Sequence, residues 1–254
     1  MKKIQVTPIY PPTDKPMSVA VLLSGSGTNF AALFEEQKRL ELKGEKNFGR
    51  IDVVFTNVPN CRGAQLAEEY GITVSRLSSK KFFEFLDADP DDEEGRKYYD
   101  AAAILNIEEV CNPDLIVLAG YRRKLSSIFH KKYKNKIINL YPGDITKDYL
   151  ITGVDASVQA LRAGENSIKC TVYLEKEGER FGPAIIQSKP ISLTGFVESD
   201  KDRMNEKIRQ EGEWKIYPFA VHNLIAKGCI EFDEYDNIYL EGVKLDPPGL
   251  QFRA

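Results

Sequence analysis

A short segment near the start of the chain constrains the fold most. The apolar run Val19–Leu23 ends in the turn Ser24-Gly-Ser-Gly-Thr-Asn29, and a helical pattern of apolar residues follows over Phe30–Leu40. This order predicts a strand, a tight turn and a helix, the unit from which parallel α/β sheets are built. The N-terminus of such a helix presents free backbone N–H groups to whatever lies above the turn.

The turn is chemically suited to a phosphate group. Gly25 and Gly27 let the backbone approach an anion, and Thr28 and Asn29 can donate hydrogen bonds or cap the helix. A plain β-to-α turn explains the glycines equally well, so both interpretations stay open on these residues alone. A Walker loop is excluded because no lysine follows Gly27, and NAD is not expected because no carboxylate ends the second strand, Ile51–Phe55.

Apolar runs and helical patterns alternate through the following hundred residues. Further strands are predicted at Thr73–Leu77, Leu115–Gly120 and Lys136–Leu140. Helices are predicted at Cys61–Tyr70, Arg96–Cys111 and Ser126–Lys132. The alternation predicts the α/β class with a doubly wound, mainly parallel sheet. Its central strand is expected at Leu115–Ala119, which is apolar at every position.

The later part of the chain has a different pattern. Ser167–Glu175 and Ala184–Leu193 predict successive strands, and one long helix is expected over Ser199–Lys227. The tail predicts a hairpin around Asp236-Asn237. A chain of 254 residues with 42% hydrophobic content can bury one substantial core, so we expect a single domain over residues 17–254. Residues 1–16 are expected to be an extended leader, because they contain Pro8, Pro11, Pro12 and Pro16.

Charge and cysteine content restrict the class of partner. The net charge of −3 argues against a broad nucleic-acid surface, and no segment approaches the apolar length of a membrane span. The four cysteines form no C-x-x-C pair, so we expect reduced thiols in the cytoplasm and neither a metal site nor a disulfide framework. The acidic stretch Asp87–Gly95 does not have EF-hand spacing and is expected to be a surface loop.

Four segments in this order resemble the glycinamide ribonucleotide formyltransferases. They are Leu23–Asn29, Val117–Ser126, Ile137–Pro142 and Glu213–Pro218. That family transfers a formyl group from 10-formyltetrahydrofolate to the amine of a phosphoribosyl glycinamide in purine biosynthesis. The resemblance covers roughly residues 17–252. It implies a formyltransferase-like fold with a Rossmann-type N-terminal half, and a small phosphoribosyl molecule as substrate.

The resemblance also implies where the phosphoribosyl substrate binds. The family's phosphate loop corresponds to Gly27, Thr28 and Asn29, and its ribose-binding glutamate corresponds to Glu213, with Gln210 one turn earlier. A carboxylate can accept hydrogen bonds from both hydroxyls of a ribose. On spacing alone, a solvent-facing position on the helix is the favoured interpretation of Glu213.

The donor side of the family's cleft corresponds to a cluster after the central strand. Its residues are Arg122, Arg123, Lys124 and Leu125. Arg96 matches an arginine that contacts the folate, and the backbone over residues 176–180 corresponds to the pterin-binding loop. Because the family has apolar residues where Arg122 and Lys124 stand, we expect an altered donor pocket.

The family's catalytic set is an asparagine, a histidine and an aspartate. Asn139 matches the asparagine, which also contacts the donor, whereas Tyr141 and Arg180 replace the histidine and the aspartate. A tyrosine with a pKa of about 10 is a poor proton acceptor at neutral pH, and arginine keeps its proton. Asp144 or Glu179 is the remaining candidate acceptor. His130 and His222 are expected to be ordinary helix residues outside the cleft.

Three functions therefore stay open from the sequence. The first is a divergent formyltransferase in which Asn139, Tyr141 and Arg180 stabilise charge. The second is a non-catalytic relative that binds a phosphoribosyl compound or nucleotide. The third is a formyltransferase for another amine, such as a nucleotide-linked amino sugar. Transfer to a tRNA is disfavoured by the acidic balance of the chain.

Overall fold

An eight-stranded, mixed β-sheet organises the chain, and two smaller sheets flank it. The structure, a computed structural model, describes residues 5–253, so the first four residues of the expected leader lie outside the described residues. The strands are β1 (Thr7–Pro8), β2 (Met17–Leu23), β3 (Gly49–Thr56), β4 (Thr73–Arg76), β5 (Leu115–Leu118), β6 (Ile137–Tyr141), β7 (Ser167–Ile168), β8 (Thr171–Leu174), β9 (Ala184–Gln187), β10 (Ile191–Ser192), β11 (Ile230–Phe232), β12 (Ile238–Leu240), β13 (Val243–Lys244) and β14 (Leu250–Gln251).

Helices connect most of these strands. They are α1 (Thr28–Leu42), α2 (Arg62–Glu69), α3 (Ser79–Leu86), α4 (Glu93–Glu108), α5 (Ser127–Lys132), α6 (Ala156–Arg162), α7 (Lys201–Ile208) and α8 (Trp214–Pro218). A π-helical segment at Arg209–Glu213 joins α7 to α8, and a 3₁₀ turn at Glu198–Asp200 and a second π-helical segment at Phe219–Ile225 extend them into one long helical run. The predicted helix over Ser199–Lys227 is therefore confirmed.

The large sheet has the spatial order β14-β9-β8-β6-β5-β2-β3-β4. The five strands from β6 to β4 pair in parallel, so their carboxyl ends lie along one edge of the sheet. β8 runs antiparallel to both of its neighbours. The prediction of an α/β fold with a mainly parallel sheet is confirmed, and β5 occupies the interior position expected of it.

Each face of the sheet is covered by a separate hydrophobic core. Val19, Val21 and Leu23 of β2 point into one core, and Ala20 and Leu22 point into the other, because successive side chains of a strand alternate. Side chains of α1, α2 and α6 fill the first core. Side chains of α3, α4 and α5 fill the second, so the sheet is wound on both faces.

Two predicted strands are each divided into two. The segment Ser167–Glu175 forms β7 and β8, and the segment Ala184–Leu193 forms β9 and β10. Between them, the Cys170 N–H donates to the Ser188 hydroxyl (2.9 Å), and Pro190 has no N–H to give to a ladder. β7 and β10 then pair with each other in a separate two-stranded sheet.

Side-chain caps explain two helices that the sequence analysis missed and one that starts early. The Ser78 hydroxyl accepts from the Lys81 N–H before α3, and the Asp155 carboxylate accepts from the Ser157 N–H before α6. Asp92 caps α4 in the same way, so this helix begins inside the acidic stretch expected to be a loop. Caps of this kind act locally and are weak signals in a sequence.

The chain ends in the predicted hairpin, to which the leader contributes a strand. β11 and β12 are antiparallel, with Asp236 in the left-handed region at their turn. β1 pairs with β11, and Pro8 lies at the edge of that sheet. Ile9 and Tyr10 are buried in the first core. The division of the chain at residue 17 stays a prediction.

Two further expectations concern the surface and the thiols. Within residues 5–253, each helix is too short or too polar to cross a lipid bilayer. All four cysteines are free thiols, with Cys61 and Cys170 buried and Cys111 and Cys229 half-buried.

His222 joins the late helical run to the sheet. Its Nδ1 accepts from the Gly49 N–H (3.1 Å), and its Nε2 lies 3.1 Å from the Leu33 carbonyl, which assigns the proton to Nε2. The ring is fully buried, and burial lowers its pKa from 6.5 to about 4. The expectation that His222 is an ordinary helix residue is confirmed, with the addition that it is a neutral structural link.

This link makes the fold sensitive to acid. Between pH 6.5 and 4 the unfolded chain takes up a proton that folded His222 does not, so its contribution to stability is present above 6.5 and is lost as pH falls. At pH 5 the loss should be about 2 kcal/mol. In urea unfolding, the free energy of unfolding of His222→Gln should therefore fall by about 2 kcal/mol less than that of the wild type when the pH is lowered to 5. Equal losses in the two proteins between pH 7.5 and 5 would contradict this.

Candidate functional site

The carboxyl ends of β2, β5 and β6 bring the predicted site residues to one edge of the sheet. Ser24, buried just after β2, ties two of these ends together. Its N–H donates to the Gly120 carbonyl (3.3 Å), and its hydroxyl accepts from the Arg122 N–H (2.9 Å) and donates to Asn57 (2.6 Å). The loop after β2 is thereby held against the loop after β5, as expected where open parallel sheets bind ligands.

The first turn of α1 begins at Gly27, which has a φ of 76°. A Cβ on Gly27 would lie 2.5 Å from the Cα of Gly63 in α2, and the Gly63 N–H donates to the Gly25 carbonyl (2.9 Å). Gly27, which the sequence predicts to let an anion approach, therefore also packs closely against α2. Among the described residues no side chain caps α1, so Thr28 and Asn29 begin a helix with free N–H groups.

Asn29 and Glu213 meet at this helix start. The Asn29 amide donates to the Glu213 carboxylate (2.7 Å), although 184 residues separate them. Glu213 is only 8% exposed, so it does not occupy the solvent-facing position that spacing alone allowed. Burial raises the pKa of Glu213, and the Asn29 hydrogen bond opposes the increase. The Oδ1 of Asn29 is buried without a hydrogen-bond partner among the described residues, which leaves it free to accept from a ligand.

A π-helical turn places Glu213 in this position. The segment Arg209–Glu213 inserts an extra residue into the helical run, and π turns of this kind are frequent at functional sites. Gln210, in the same turn, is exposed and donates to Glu206 (2.7 Å). The structure therefore brings Glu213, and not Gln210, to the start of α1.

A cavity of about 560 Å³ lies beside this edge, between α4, α5 and the loop after β8. The predicted donor residues Arg96, Lys124 and Leu125 line it, together with the loop over residues 176–180. Glu175 and His130 line it as well. The expectation that His130 lies outside the cleft was wrong, because α5 turns that side chain toward the cavity.

The three arginines predicted on the donor side have different surroundings. Arg96 lines the cavity with a buried Nε that has no hydrogen-bond partner among residues 5–253. Arg122 is exposed. The Arg123 guanidinium lies over the rings of Phe83 (4.6 Å) and Tyr99 (4.7 Å). Such cation–π contacts hold Arg123 against α3 and α4, which gives it a packing role in addition to the binding role that the resemblance implies.

Asn139 lies at the centre of the edge. It is the cross-strand partner of Tyr173, so both side chains share one face of the sheet with Tyr141 and Glu175, each two residues away along a strand. The Asn139 Nδ2 donates to the Glu175 carboxylate (3.2 Å), and its Oδ1 accepts from the Leu140 N–H (2.8 Å). Burial raises the pKa of Glu175, and hydrogen bonds from Asn139 and Tyr173 oppose the increase.

Tyr141 and Arg180 lie together beside Asn139. The Tyr141 ring packs against Phe181 (4.8 Å) and over Gly143, where a Cβ would lie 2.5 Å from the ring. Burial raises the pKa of Tyr141, although Arg180 opposes the increase. Arg180 is exposed, lies over the Phe181 ring and donates to the Leu150 carbonyl (2.6 Å). Neither residue is suited to accept a proton at neutral pH.

The two carboxylates predicted as proton acceptors differ. Asp144 accepts from the N–H (3.0 Å) and hydroxyl (2.7 Å) of Thr146 and from Gln187 (2.7 Å). Burial opposes the ionisation of Asp144, yet these hydrogen bonds together lower its pKa. Asp144 therefore stabilises the turn that follows β6. Glu179 is exposed on the cavity wall.

Sequence reasoning missed Ser24, Tyr173 and Glu175 as site residues. Ser24 belongs to the turn segment, but its contacts lie 33 and 98 residues away. Glu175 was placed at the end of a predicted strand. The available signal was the alternation Tyr173-Leu-Glu175, which places two polar side chains on one face of a strand next to Asn139.

Known proteins are similar to this chain over most of its length. A family model described as formyl transferase matches residues 17–221. The phosphoribosylglycinamide formyltransferase of Escherichia coli (strain K12) is 28% identical over 92% of this chain and 98% of the relative. The trifunctional purine biosynthetic protein adenosine-3 of Drosophila melanogaster is 30% identical over 82% of this chain, which spans only 14% of that relative.

Solved structures are similar over most of the chain. The phosphoribosylglycinamide formyltransferase of Coxiella burnetii has a TM-score of 0.76 and 25% identity, covering 94% of this chain and all of that one. The phosphoribosylglycinamide formyltransferase of Brucella melitensis has a TM-score of 0.62 and 29% identity, covering 81% of this chain and 94% of that one.

The packing at Gly27 can be tested directly. Gly27→Ala should lower the free energy of unfolding by about 2 kcal/mol or more, because the new methyl group meets backbone atoms of Gly63 and the φ is positive. Gly25→Ala is the matched control, since a Cβ there has no atom within 4 Å. Urea unfolding of the two variants checks this, and equal stability would show that Gly27 is not required by packing.

Proposed function

Because this chain belongs to the formyl transferase family, we propose that it is a phosphoribosylglycinamide formyltransferase of purine biosynthesis, with 10-formyltetrahydrofolate as formyl donor. The observation that carries this function is the contact between Asn29 and Glu213 at the uncapped start of α1. It joins an anion-binding helix terminus to a buried carboxylate. Asn139 and a cavity of suitable size lie along the same edge of the sheet.

The phosphoribosyl group fits the first of these features. The N–H groups at the start of α1 are oriented to bind a phosphate, which the helix dipole also favours. Ionised Glu213 accepts hydrogen bonds from the two ribose hydroxyls. The Oδ1 of Asn29, which has no partner among the described residues, accepts one further hydrogen bond from the substrate. Because Asn29 links the two subsites, phosphate and ribose are positioned together.

The cavity beside Asn139 fits the formyl donor. Its volume of about 560 Å³ lies in the range of small-molecule sites, and the unpaired Nε of Arg96 is available to a polar group of the donor. Lys124 adds a second positive charge, suited to the carboxylates of a folate. When bound, 10-formyltetrahydrofolate supplies an activated formyl carbonyl.

Asn139 performs the electrostatic part of the transfer. As the amine attacks the formyl carbon, negative charge develops on the formyl oxygen, and the Asn139 amide donates a hydrogen bond to it. Tyr141 keeps its proton and Arg180 keeps its positive charge. Both therefore stabilise the negative charge on the formyl oxygen from the side of Phe181. The acceptor is the amine of a phosphoribosyl glycinamide, and we place the reaction in the cytoplasm with no nucleic-acid partner.

One observation supports a second candidate function. Tyr141 and Arg180, at the positions of the family's histidine and aspartate, are unsuited to accept a proton. A protein that binds the ribonucleotide through Asn29 and Glu213 without turnover is consistent with that replacement. Measurement of turnover and binding on the same preparation separates the two functions.

The direct test is formyl transfer from 10-formyltetrahydrofolate to glycinamide ribonucleotide by the purified full chain. Asn139→Ala should lower kcat by 10²–10³-fold, because one donor to the developing oxyanion is lost. Calorimetric binding of the ribonucleotide should change little in the variant. Ribonucleotide binding without turnover in the wild type would favour the non-catalytic function, and no binding of either ligand would reject the substrate assignment.

Glu213 provides a separate test of the ribose subsite. Glu213→Gln should raise KM for the ribonucleotide about ten- to a hundred-fold with a smaller effect on kcat, because a charged hydrogen-bond acceptor is lost. Glu211→Gln makes the same chemical change at an exposed position in the same π-helical turn. Steady-state kinetics should show wild-type KM for that control. An unchanged KM in Glu213→Gln would exclude Glu213 from ribose recognition.

A further inference from the structure

Formyl transfer requires a group that removes a proton from the attacking amine. At the two positions where the family carries its histidine and aspartate, this chain has a tyrosine whose pKa is raised and an exposed arginine. Although burial opposes the ionisation of Asp144, the three hydrogen bonds that its Oδ1 accepts from Thr146 and Gln187 lower the pKa of this carboxyl and make it a weaker base than an ordinary aspartate. The proton acceptor must therefore come from another element of the fold.

Glu175 has the required position. Its carboxylate accepts from Asn139 Nδ2 at 3.2 Å, the same amide that faces the formyl oxygen in the proposed reaction. A formyl oxygen bound to that nitrogen would lie within about two hydrogen-bond lengths, or about 6 Å, of the carboxylate. In the proposed reaction, the proton passes from the attacking amine to the carboxylate after rotation of one side chain or through one bridging water molecule.

Glu175 is also accessible to a substrate and partly shielded from solvent. It is half-buried and lines the donor cavity, so a ligand there can contact its carboxylate. Glu179 lines the same cavity but is exposed at the mouth. Of the carboxylates in this region, Glu175 combines contact with Asn139, access from the cavity and partial burial.

The surroundings of Glu175 favour a base that titrates nearer neutrality. Burial raises its pKa above the usual value of 4.5, and this increases the affinity of the carboxylate for a proton. The titratable and charged groups around the cavity and behind the strand come from every packed element. Glu93 and Arg96 lie on α4, Lys124 lies before α5, and His130 lies on α5. Tyr141 lies on β6, Tyr173 on β8 and Tyr217 on α8, and the loop after β8 contributes Lys176, Glu177, Glu179 and Arg180.

We propose that Glu175 is the general base of this enzyme and replaces the family's histidine and aspartate from a different strand. The amine nitrogen forms a bond to the formyl carbon and gives its proton to the Glu175 carboxylate. The bond between the formyl carbon and N10 of the folate breaks, and Glu175 returns the proton to N10. The products are the formylated amine and tetrahydrofolate, with no other reactant required. This assignment rests on the proposed function.

The test is Glu175→Gln in the full chain, because it keeps the side-chain size and a hydrogen-bonding contact to Asn139. We expect kcat to fall at least 100-fold, with KM for both substrates within about threefold of wild type. The acid limb of the wild-type profile of kcat against pH should disappear in the variant. In Glu175→Ala, added acetate should restore part of the rate. Glu109→Gln, at an exposed position after α4, is the matched control and should keep wild-type kinetics.

Each outcome supports or overturns a defined statement. An inactive wild-type protein would overturn the proposed function and this assignment with it. Active wild type with an unchanged kcat in Glu175→Gln would overturn the assignment alone. A rise only in the KM for the donor would make Glu175 a donor-binding residue and also overturn it. Loss of the acid limb in His130→Gln or Glu179→Gln instead would transfer the role to that residue. Circular dichroism and ribonucleotide binding identify a variant that fails to fold.

Discussion

The parallel pairing of β5 with both β2 and β6 is the constraint on which the site depends. It places the ends of three strands at one edge, where Ser24 holds two of the following loops together through hydrogen bonds. The first loop leads into α1, whose start is fixed by the contact between Gly27 and Gly63. Residues far apart in sequence, such as Asn29 and Glu213, then meet at this edge.

Sequence patterns predicted the elements that depend on hydrophobic periodicity. The strands β2, β3, β5 and β6, the helix α1 and the late helical run have strong apolar patterns because their side chains fill the two cores. The patterns did not locate the breaks within Ser167–Glu175 and Ala184–Leu193, or the helices α3 and α6. Those features depend on a side-chain hydrogen bond to Cys170, on a proline and on single capping residues, which change no periodicity.

The site was predictable where the resemblance supplied a motif, and less so where function depends on packing. The phosphate loop and Asn139 lie at the expected edge. Arg123 packs between aromatic rings of two helices, and His130 faces the cavity because of the direction of α5; neither orientation is encoded in a local pattern. The position of Glu175 beside Asn139 was not predictable from a local pattern, because it arises from the antiparallel register of β8 against β6.

The carboxyl groups whose pKa is shifted fall into two classes by the direction of the shift. Asp144 and Asp233 accept several hydrogen bonds and have lowered pKa values, as expected of groups that stabilise turns. The pKa is raised by burial in Asp100, Glu175 and Glu213. A raised carboxyl pKa favours the folded state at low pH, and this advantage is lost as pH rises from the unfolded value through the folded one. Near neutrality these three groups therefore reduce stability, and all three lie at the site. Glu213 lies at the start of α1, and Glu175 lies beside Asn139. Asp100 lies behind the cavity wall, where it accepts from the Ser126 N–H. The carboxylates whose ionised form is disfavoured by burial thus lie where a ligand can interact with them or with the wall that they support. This is the distribution expected of an active site.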